Sequence, residues 1–517
     1  MTYIKRNIDK IIEDWFNSDK RALMILGARQ IGKSESAKEF LRNLYKINND
    51  SLLPILDIEN TPGVKDAIIS GKSEGGQSFI RNLFANIRSN ADLDVCKVIL
   101  IDEVQALSNS KKLTAEKEIK DILSRLMNET EFRFIFSGSL LGSKISNLEE
   151  FTKDLPGGII QIHMHPISFA EFVEYIDGNN QRIESAKREL IESKTISKET
   201  HIHLLKRFGE YSFVGGMPKS LLAYSNGNKY SVMDSMDAIS TLKEDYIQDT
   251  QKYYKEELGI DVGNGIFDWL LFGINKNDKK KLMKRLKQEP EKTLYQYIID
   301  SDIGLLVSHV DEFKLTLNQQ EKPKTFFNDV GFMRLMIRNH LEGIQKYDDV
   351  PRQLKDYFDY KRNLDDIKQD YFKYIENDNN GSIFPGAGRI FEQLVAQGIK
   401  EKGFTYAYDY SNKPQMELEF VLPKDGSAIE VKSGGFDDFI SSSNYAEEGN
   451  KVYFLSLLPY VGETLKNITL LPVYALSLLN EEELSGIVFK STDSRVKEIL
   501  ISGKLPKTRG FYIKDIV

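Results

Sequence analysis

The sequence predicts an α/β fold organised around a parallel sheet, and three stretches in the first third of the chain carry this prediction. The apolar run 22–26 is followed by a glycine-containing loop and by a helical pattern over 35–41. The run 98–103 consists of aliphatic residues that end in Asp-Glu, and the run 132–136 ends in a serine–glycine turn. Short apolar runs bounded by polar residues are typical of buried parallel strands. We therefore expect the polar strand ends to meet at one edge of a sheet.

The loop after the first run has the pattern G-x-x-x-x-G-K-S, which comprises Gly27, Ala28, Arg29, Gln30, Ile31, Gly32, Lys33 and Ser34. In such a loop, backbone N–H groups surround phosphate oxygens, and the following helix adds positive potential at its N-terminus. Lys33 would reach the β- and γ-phosphates and Ser34 would ligate Mg²⁺, so the pattern predicts ATP and Mg²⁺ as cofactors. A chance match in a glycine loop is the alternative, and the flanking strand and helix argue against it.

The second run predicts the acidic half of the same site. Asp102 and Glu103 follow four aliphatic residues, which is the Walker B pattern. Asp102 would hold Mg²⁺ directly or through water. Glu103 would orient and polarise the water that attacks the nucleotide. An acidic turn after a core strand is the alternative, and the phosphate-binding loop upstream favours the functional interpretation.

Two further strand ends leave alternatives open. After the run 132–136, either Ser137 or Ser139 stands at the strand end where AAA-type ATPases place a γ-phosphate sensor, although a serine–glycine turn is also an ordinary strand exit. The predicted strand 52–59 ends in an acidic residue, Glu59, which either lines the rim of the site or is simply solvated.

Composition limits the class of protein. The chain has 517 residues, of which 41% are hydrophobic and 28% charged, as expected for a globular protein of two to four domains. The formal net charge of −7 excludes a generally basic nucleic-acid binder and leaves only local patches. One cysteine predicts a reducing, cytoplasmic location, and no apolar run has the ~20 residues of a membrane helix.

Several motifs together resemble a large prokaryotic AAA-type ATPase family with a C-terminal domain of unknown function. Besides the two Walker motifs, they are His165-Pro166-Ile167-Ser168-Phe169-Ala170-Glu171-Phe172, Val214-Gly215-Gly216-Met217-Pro218 and the run 324–332. The resemblance implies an AAA+ P-loop core, a helical lid, a winged-helix module and a C-terminal α/β domain similar to restriction endonucleases. Two positions depart from the family pattern. Glu35 replaces a small hydroxyl residue, and Ser143-Lys144 stands where an arginine is often found, which leaves any arginine finger unassigned.

The expected domain order follows from this resemblance and from breaks in composition. It is an ATPase core over 1–175, a helical lid over 176–250, a winged-helix module over 251–345, a helical linker over 346–382, a nuclease-like domain over 383–480 and a tail over 481–517. The winged-helix module either reads DNA or connects domains. Its most basic run, 276–287, would neutralise phosphates or form a solvated helix face.

The last domain carries a second candidate site, which resembles the PD-(D/E)xK nuclease core. Glu419 lies on one predicted strand, and Glu430 and Lys432 share a face of the next because strand side chains alternate. The resemblance implies that Glu419 and Glu430 hold Mg²⁺, that Lys432 positions water and that Glu392 is an outer metal contact. A nuclease-like fold kept as a scaffold is the alternative.

Three functions stay open at this stage. The first is an ATPase whose nucleotide state controls the C-terminal half and which acts on DNA or a protein partner. The second is an ATP-gated, Mg²⁺-dependent DNA nuclease. The third is a nucleotide-sensing module with negligible turnover. The residues predict no membrane contact and do not choose between monomer and oligomer.

Overall fold

The structure is a computed structural model of the chain. It describes residues 3–61, 64, 68, 81, 84, 91–94, 96–107, 116–128, 130–139, 155–192, 196–226, 230–254, 260–272, 298, 302–307, 310–311, 316–317, 324–343, 387–404, 408–413, 416–422, 424–431, 440–447, 449–457, 462–465 and 467–487. The chain forms two compact units. Unit 1 comprises Met1–Pro166 and Gln296–Asp302, and unit 2 comprises Ile167–Tyr295 and Ile303–Val517.

Unit 1 alternates strands with helices. Its elements are α1 (Asn7–Phe16), β1 (Ala22–Leu26), α2 (Lys33–Tyr45), β2 (Ile55–Asp57), β3 (Val98–Asp102), α3 (Glu116–Asn128), β4 (Arg133–Gly138) and β5 (Ile159–His163). The strands form one sheet in the order β2-β3-β4-β1-β5, and every neighbouring pair is parallel. The prediction of an α/β fold with a parallel sheet is therefore confirmed.

The core of unit 1 lies on the central strands of this sheet. All five residues of β1 and all five of β3 are buried, which is why their sequences are continuous apolar runs rather than alternating ones. Strand β1 has β4 on one side and β5 on the other, with Leu26 opposite Gly138 and His163. Because the strands are parallel, their carboxyl ends meet at one edge.

Unit 2 begins with helices and ends in a mixed α/β layer. Its helices are α4 (Phe169–Asp177), α5 (Gln181–Ile191), α6 (Lys198–Val214), α7 (Pro218–Tyr224), α8 (Val232–Tyr254), α9 (Ile260–Phe272), α10 (Val330–Gly343), α11 (Ala387–Glu401), α12 (Ile440–Glu447) and α13 (Glu481–Ser485). Its strands are β6 (Gly304–Val307), β7 (Val310–Asp311), β8 (Thr316–Leu317), β9 (Lys324–Phe327), β10 (Tyr408–Lys413), β11 (Met416–Leu422), β12 (Ser427–Val431), β13 (Val452–Ser456), β14 (Gly462–Leu465) and β15 (Ile468–Pro472).

The larger sheet of unit 2 has the order β10-β11-β12-β13-β15-β14. Strands β10, β11 and β12 form an antiparallel meander, whereas β13 is parallel to both β12 and β15. Two smaller antiparallel pairs join β6 to β9 and β7 to β8. Strands β6 and β9 lie within the range 251–345 in which the winged-helix module is expected, and the module itself stays a prediction.

Two sequence motifs of unit 2, at 214–218 and 324–332, are joined by hydrogen bonds of Asp329. The Asp329 carboxylate accepts hydrogen bonds from the backbone N–H groups of Gly216 at 2.5 Å and Gly331 at 2.9 Å. A Cβ on Gly215 would lie only 2.1 Å from Asp329 Oδ1, and Gly215 has φ +70°. Glycine is therefore required at this turn, and burial raises the pKa of the enclosed Asp329 carboxyl to about 7.

Some predictions fall on residues outside the described ranges. They are the basic run 276–287, Ser143-Lys144, the linker 346–382, Lys432 and the tail beyond 487. The six predicted domain boundaries are finer than the two compact units and stay predictions. No helix in the described part of the chain combines the length and apolar composition needed to cross a bilayer.

Candidate functional site

The candidate site lies at the carboxyl edge of the unit 1 sheet. The phosphate-binding loop follows β1, Asp102 ends β3 and is followed by Glu103, and Ser137 is the penultimate residue of β4. Strand β4 lies between β1 and β3, and Ile101 is paired with Phe136. This register brings Asp102 beside Ser137, so residues far apart in sequence meet at one edge.

The loop conformation depends on residues in the left-handed region. Gly27 has φ +141°, Gln30 +60° and Gly32 +100°. A Cβ on Gly27 would lie 2.2 Å from the carbonyl oxygen of Met164. Only glycine fits that close approach of two backbones, and Gly32 then leads directly into α2 as its N-cap.

Lys33 forms hydrogen bonds with the backbone of its own loop. Its Nζ donates hydrogen bonds to the carbonyl oxygens of Gly27 at 3.1 Å and Ala28 at 2.7 Å. Burial lowers the pKa of the Lys33 ammonium, and the Glu103 and Asp102 carboxylates oppose that shift. A buried ammonium that already donates to carbonyl oxygens inside a glycine loop is suited to donate to phosphate oxygens as well.

Asp102 and Ser34 form an oxygen pair suited to Mg²⁺. The Ser34 hydroxyl donates to Asp102 Oδ1 at 2.9 Å. The Ser137 hydroxyl and the Glu103 backbone N–H donate to the same carboxylate oxygen, the latter at 3.1 Å. A carboxylate and a hydroxyl at contact distance are the hard ligands that Mg²⁺ prefers, so these residues fit the metal of an ATP·Mg²⁺ complex.

Glu103 is held in an unusual backbone conformation. Its φ of +54° is in the left-handed region, which is rare for a residue with a Cβ and is typical of functional sites. Burial raises the pKa of the Glu103 carboxyl, and the Lys33 charge opposes that shift. A carboxylate with a raised pKa accepts a proton more readily near neutral pH.

Gln105 connects Glu103 to the end of β4. Its amide nitrogen donates to the Glu103 carboxylate, and its amide oxygen accepts from the Ser139 backbone N–H at 3.2 Å. The Ser139 hydroxyl itself is buried and makes no hydrogen bond to the described residues. The two serines left open by the sequence therefore differ, since the hydroxyl of Ser137 is bonded to Asp102.

Arg29, the third residue of the loop, is paired with Glu59. The guanidinium Nη2 lies 2.5 Å from Glu59 Oε2, and the two side chains are only 18% and 17% exposed. Glu59 lies two residues after the end of β2, and its pairing with Arg29 places it at the rim of the site. Its Asp57 neighbour instead accepts from the backbone N–H groups of Glu59 and Asn60.

A second carboxylate approaches the loop from the segment Gln296–Asp302. The buried Asp302 accepts a hydrogen bond from the Ala28 backbone N–H at 3.2 Å. His163, at the end of β5, lies with Nε2 3.0 Å from the same carboxylate oxygen. A negatively charged side chain of the protein thus accepts a hydrogen bond from the phosphate-binding loop.

The structure describes three of the four residues of the predicted C-terminal site, namely Glu392, Glu419 and Glu430. Register along the β11–β12 hairpin pairs Phe420 with Ile429, so Glu419 and Glu430 follow as the next opposed pair, and both are buried. Glu419 also accepts from the Val431 N–H at 3.2 Å. In the part of the chain that the structure describes, no three His, Cys, Asp or Glu side chains form a group that could hold a metal. Glu392, on α11, therefore does not complete a three-carboxylate group with this pair.

Sequence reasoning missed three contributors to the first site. Gln105 directly follows the Walker B motif, and its polar side chain in an apolar context was a usable signal. Glu59 was identified as a strand end, but its pairing with Arg29 depends on the order of strands in the sheet. Asp302 lies far from the loop in sequence, and no local pattern around it predicts the contact.

Solved structures that align with this chain include three proteins. The Walker-type ATPase PABY2304 of Pyrococcus abyssi aligns at 11% identity and a TM-score of 0.39, over 65% of this chain and 96% of that chain. The ORC2 protein of Aeropyrum pernix, in ADPNP–ADP complexes, aligns at 12% and 0.28, over 58% and 85%. A DNA polymerase III γ subunit-related protein of Thermotoga maritima aligns at 11% and 0.23, over 57% and 97%. These identities are too low to transfer an activity.

The comparison of sequences places the candidate site within a known kind of domain. No curated protein matches the chain. A family model described as an AAA domain matches residues 19–173, which include the glycine loop, the Asp102-Glu103 pair and both candidate sensor serines. The amino-terminal third of this chain is therefore similar to AAA domains, and its parallel sheet and loop have the corresponding α/β form.

Proposed function

We propose that this chain binds ATP with Mg²⁺ and hydrolyses ATP at the edge of the unit 1 sheet. The observation that carries the proposal is the hydrogen bond between Ser34 and Asp102, with Glu103 next in sequence and Lys33 inside the loop. The AAA domain match over 19–173 supports the same function.

In the proposed reaction, Lys33 and the loop N–H groups bind the β- and γ-phosphates, and Ser34 and Asp102 hold the metal. Mg²⁺ neutralises charge on the phosphate oxygens. Glu103 accepts a proton as the water oxygen bonds to the γ-phosphorus. The bond from that phosphorus to the β–γ bridging oxygen breaks, and its electron pair stays on ADP. Ser139, with its buried hydroxyl, contacts the γ-phosphate.

Phosphate release by the purified full chain tests this proposal. We expect Lys33→Ala to lose ATP binding, and Glu103→Gln to bind ATP while its turnover falls by at least about 100-fold. Equal phosphate release by the wild type and both variants contradicts hydrolysis at this site. Tight ATP binding by the wild type, without turnover above that of Glu103→Gln, favours a nucleotide-sensing module instead.

We further infer that nucleotide state in unit 1 controls the activity of unit 2 on DNA or on a protein partner. The combination of an AAA-like domain with a second α/β layer supports this division of roles. The test is to capture what co-purifies with Glu103→Gln in the presence of MgATP, and Lys33→Ala is the matched control. A partner retained equally by both variants contradicts nucleotide control.

A second candidate function is Mg²⁺-dependent DNA cleavage by unit 2. The observation that favours it is the opposed, buried Glu419 and Glu430 on the antiparallel β11–β12 hairpin. Plasmid and linear DNA incubated with Mg²⁺ or Mn²⁺ provide the assay. We expect Glu430→Gln and Lys432→Ala to abolish cleavage while ATP hydrolysis is retained. Cleavage by both variants at the wild-type rate rules this site out.

A further inference from the structure

The phosphate-binding loop carries a second cation besides Lys33. Arg29 lies between Gly27 and Gly32 and forms an ion pair with Glu59 at 2.5 Å. The left-handed Gln30 follows it directly, and the Ile31 side chain turns back into the core, where it is fully buried. Arg29 is thus one of two charged side chains that the loop itself brings to the site.

The charge of Arg29 acts on both Lys33 and Glu103, the two charged groups assigned to the reaction. It contributes to the lowered pKa of the Lys33 ammonium, and it opposes the raised pKa of the Glu103 carboxyl. Glu59 lies two residues beyond Asp57 of β2, and Asp57 is paired with Asp102 of β3, so the guanidinium that Glu59 binds lies at the same edge of the sheet as Glu103.

Four of the six other arginines in the described part of unit 1 are bound to other groups of the protein. Arg6 donates to the carbonyl oxygens of Ile31 and His165. Arg21 and Arg133 donate to backbone carbonyl oxygens next to the amino ends of the strands, away from the candidate site. Arg42 binds acidic side chains along and beyond α2.

We propose that Arg29 supplies, from within the same chain, the cation that stabilises the γ-phosphoryl group in the transition state of ATP hydrolysis. Glu59 holds the guanidinium before nucleotide binds. The inference rests on the proposed ATPase function and assigns the arginine that the position of Ser143-Lys144 leaves unassigned.

The chemistry of the Arg29–Glu59 pair supports an exchange in which Arg29 leaves the carboxylate and binds the γ-phosphate. A guanidinium presents parallel N–H donors that fit a carboxylate and a phosphate equally well. When the bond from the γ-phosphorus to the bridging oxygen breaks, negative charge shifts onto ADP, and a cation at this place lowers the energy of that state. Arg29 takes part in no proton transfer and forms no covalent bond.

The test compares variants of the full chain for ATP affinity, turnover and trapping of MgADP with aluminium fluoride. We expect Arg29→Ala to lower kcat by about 10³-fold, the lower end for such arginines, with ATP affinity within about threefold of wild type. It should also fail to form the aluminium fluoride complex. Arg29→Gln, which is shorter than arginine and uncharged but keeps an amide N–H donor group, covers the case in which Arg29→Ala does not fold. Arg42→Ala is the control and should match the wild type.

The variant Glu59→Gln tests separately whether Glu59 restrains the Arg29 guanidinium before nucleotide binds. Because it weakens the pairing of Arg29, we expect ATP to bind several-fold more tightly, and the gain should vanish in the double variant with Arg29→Gln. Wild-type kcat in both Arg29 variants overturns the proposal, as does loss of ATP affinity in proportion to kcat. If wild-type turnover does not exceed that of Lys33→Ala, the ATPase proposal itself fails, and that outcome is distinct from failure of the role of Arg29.

Discussion

At the scale of single residues, the two serines at the end of β4 have different surroundings. Ser137 donates to the Asp102 carboxylate, whereas the buried Ser139 hydroxyl has no hydrogen-bond partner among the described residues. Ser137 is therefore suited to fix the carboxylate that would hold Mg²⁺. Ser139 is suited to form a hydrogen bond with a phosphate oxygen of a bound nucleotide.

This difference predicts separable effects of two matched substitutions. Ser137→Ala removes a donor to Asp102, so we expect half-maximal ATP hydrolysis to require several-fold more Mg²⁺. Ser139→Ala should leave the Mg²⁺ requirement unchanged and lower kcat by about 10-fold or more. Steady-state rates at varied Mg²⁺ measure both effects, and identical Mg²⁺ curves for the two variants contradict the assignment.

A third residue-scale prediction concerns the carboxylate beside the loop. Asp302 accepts from the Ala28 N–H and places negative charge where an anion would bind. Asp302→Asn keeps the shape of the side chain and removes this charge, so we expect MgATP to bind about fivefold more tightly. Titration of a fluorescent ATP analogue measures the change. Asp14→Asn, an exposed acid on α1, is the control, and weaker binding by Asp302→Asn counts against electrostatic competition.

At the scale of elements, the turn between α6 and α7 and the turn between β9 and α10 are joined by Asp329. The carboxylate bonds Gly216 and Gly331, and Gly215 leaves no room for a Cβ. The family-like motifs at 214–218 and 324–332 are therefore parts of one packing arrangement within unit 2. Their separation in sequence hides this relation.

Asp329 predicts a pH-dependent stability of unit 2. Burial raises its pKa to about 7, so the folded state keeps a proton that the unfolded chain releases above about pH 4. The contribution is therefore fully present at low pH and is lost as pH rises through about 7. Relative to Asp329→Asn, we expect the wild type to lose about 2 kcal/mol between pH 5 and pH 8.

Trp269 provides the measurement, because Trp15→Phe removes the other tryptophan of the chain and leaves a reporter in unit 2. Urea unfolding followed by fluorescence gives the difference at each pH. A constant difference between wild type and Asp329→Asn across this range means that the carboxyl does not titrate there.

At the scale of the whole molecule, control of unit 2 by nucleotide requires a response outside the ATP site. We expect MgATP added to Glu103→Gln to slow amide hydrogen exchange in the loop 27–34 and to change exchange in peptides of unit 2. Lys33→Ala should show neither effect. Changes confined to unit 1 contradict the proposed control, while binding itself would still be supported.

The sequence predicted the parts of this molecule that depend on local pattern. The buried apolar runs that became β1 and β3, the glycine loop and the Asp102-Glu103 pair were all visible because each is a continuous signal. The contacts of Glu59 and Asp302 were not, because they depend on strand order and on a return of the chain from residue 302. The carboxyl pair Glu419 and Glu430 was placed on two adjacent strands from alternation and from the resemblance to a nuclease core, whereas the position of Glu392 relative to it needed the fold.

The location of β1 between two parallel neighbours affects how fast the backbone amides next to the phosphate-binding loop exchange with solvent. Amides of an interior strand exchange with solvent only in the larger openings of a domain, while strands with one neighbour open more often. Strands β2 and β5 are the outer strands of the described sheet, and they lead to Glu59 and His163. We therefore expect the amides of β1, which precedes the phosphate-binding loop, to exchange more slowly than those of β2 and β5, which lead to the groups that restrain Arg29 and accompany Asp302.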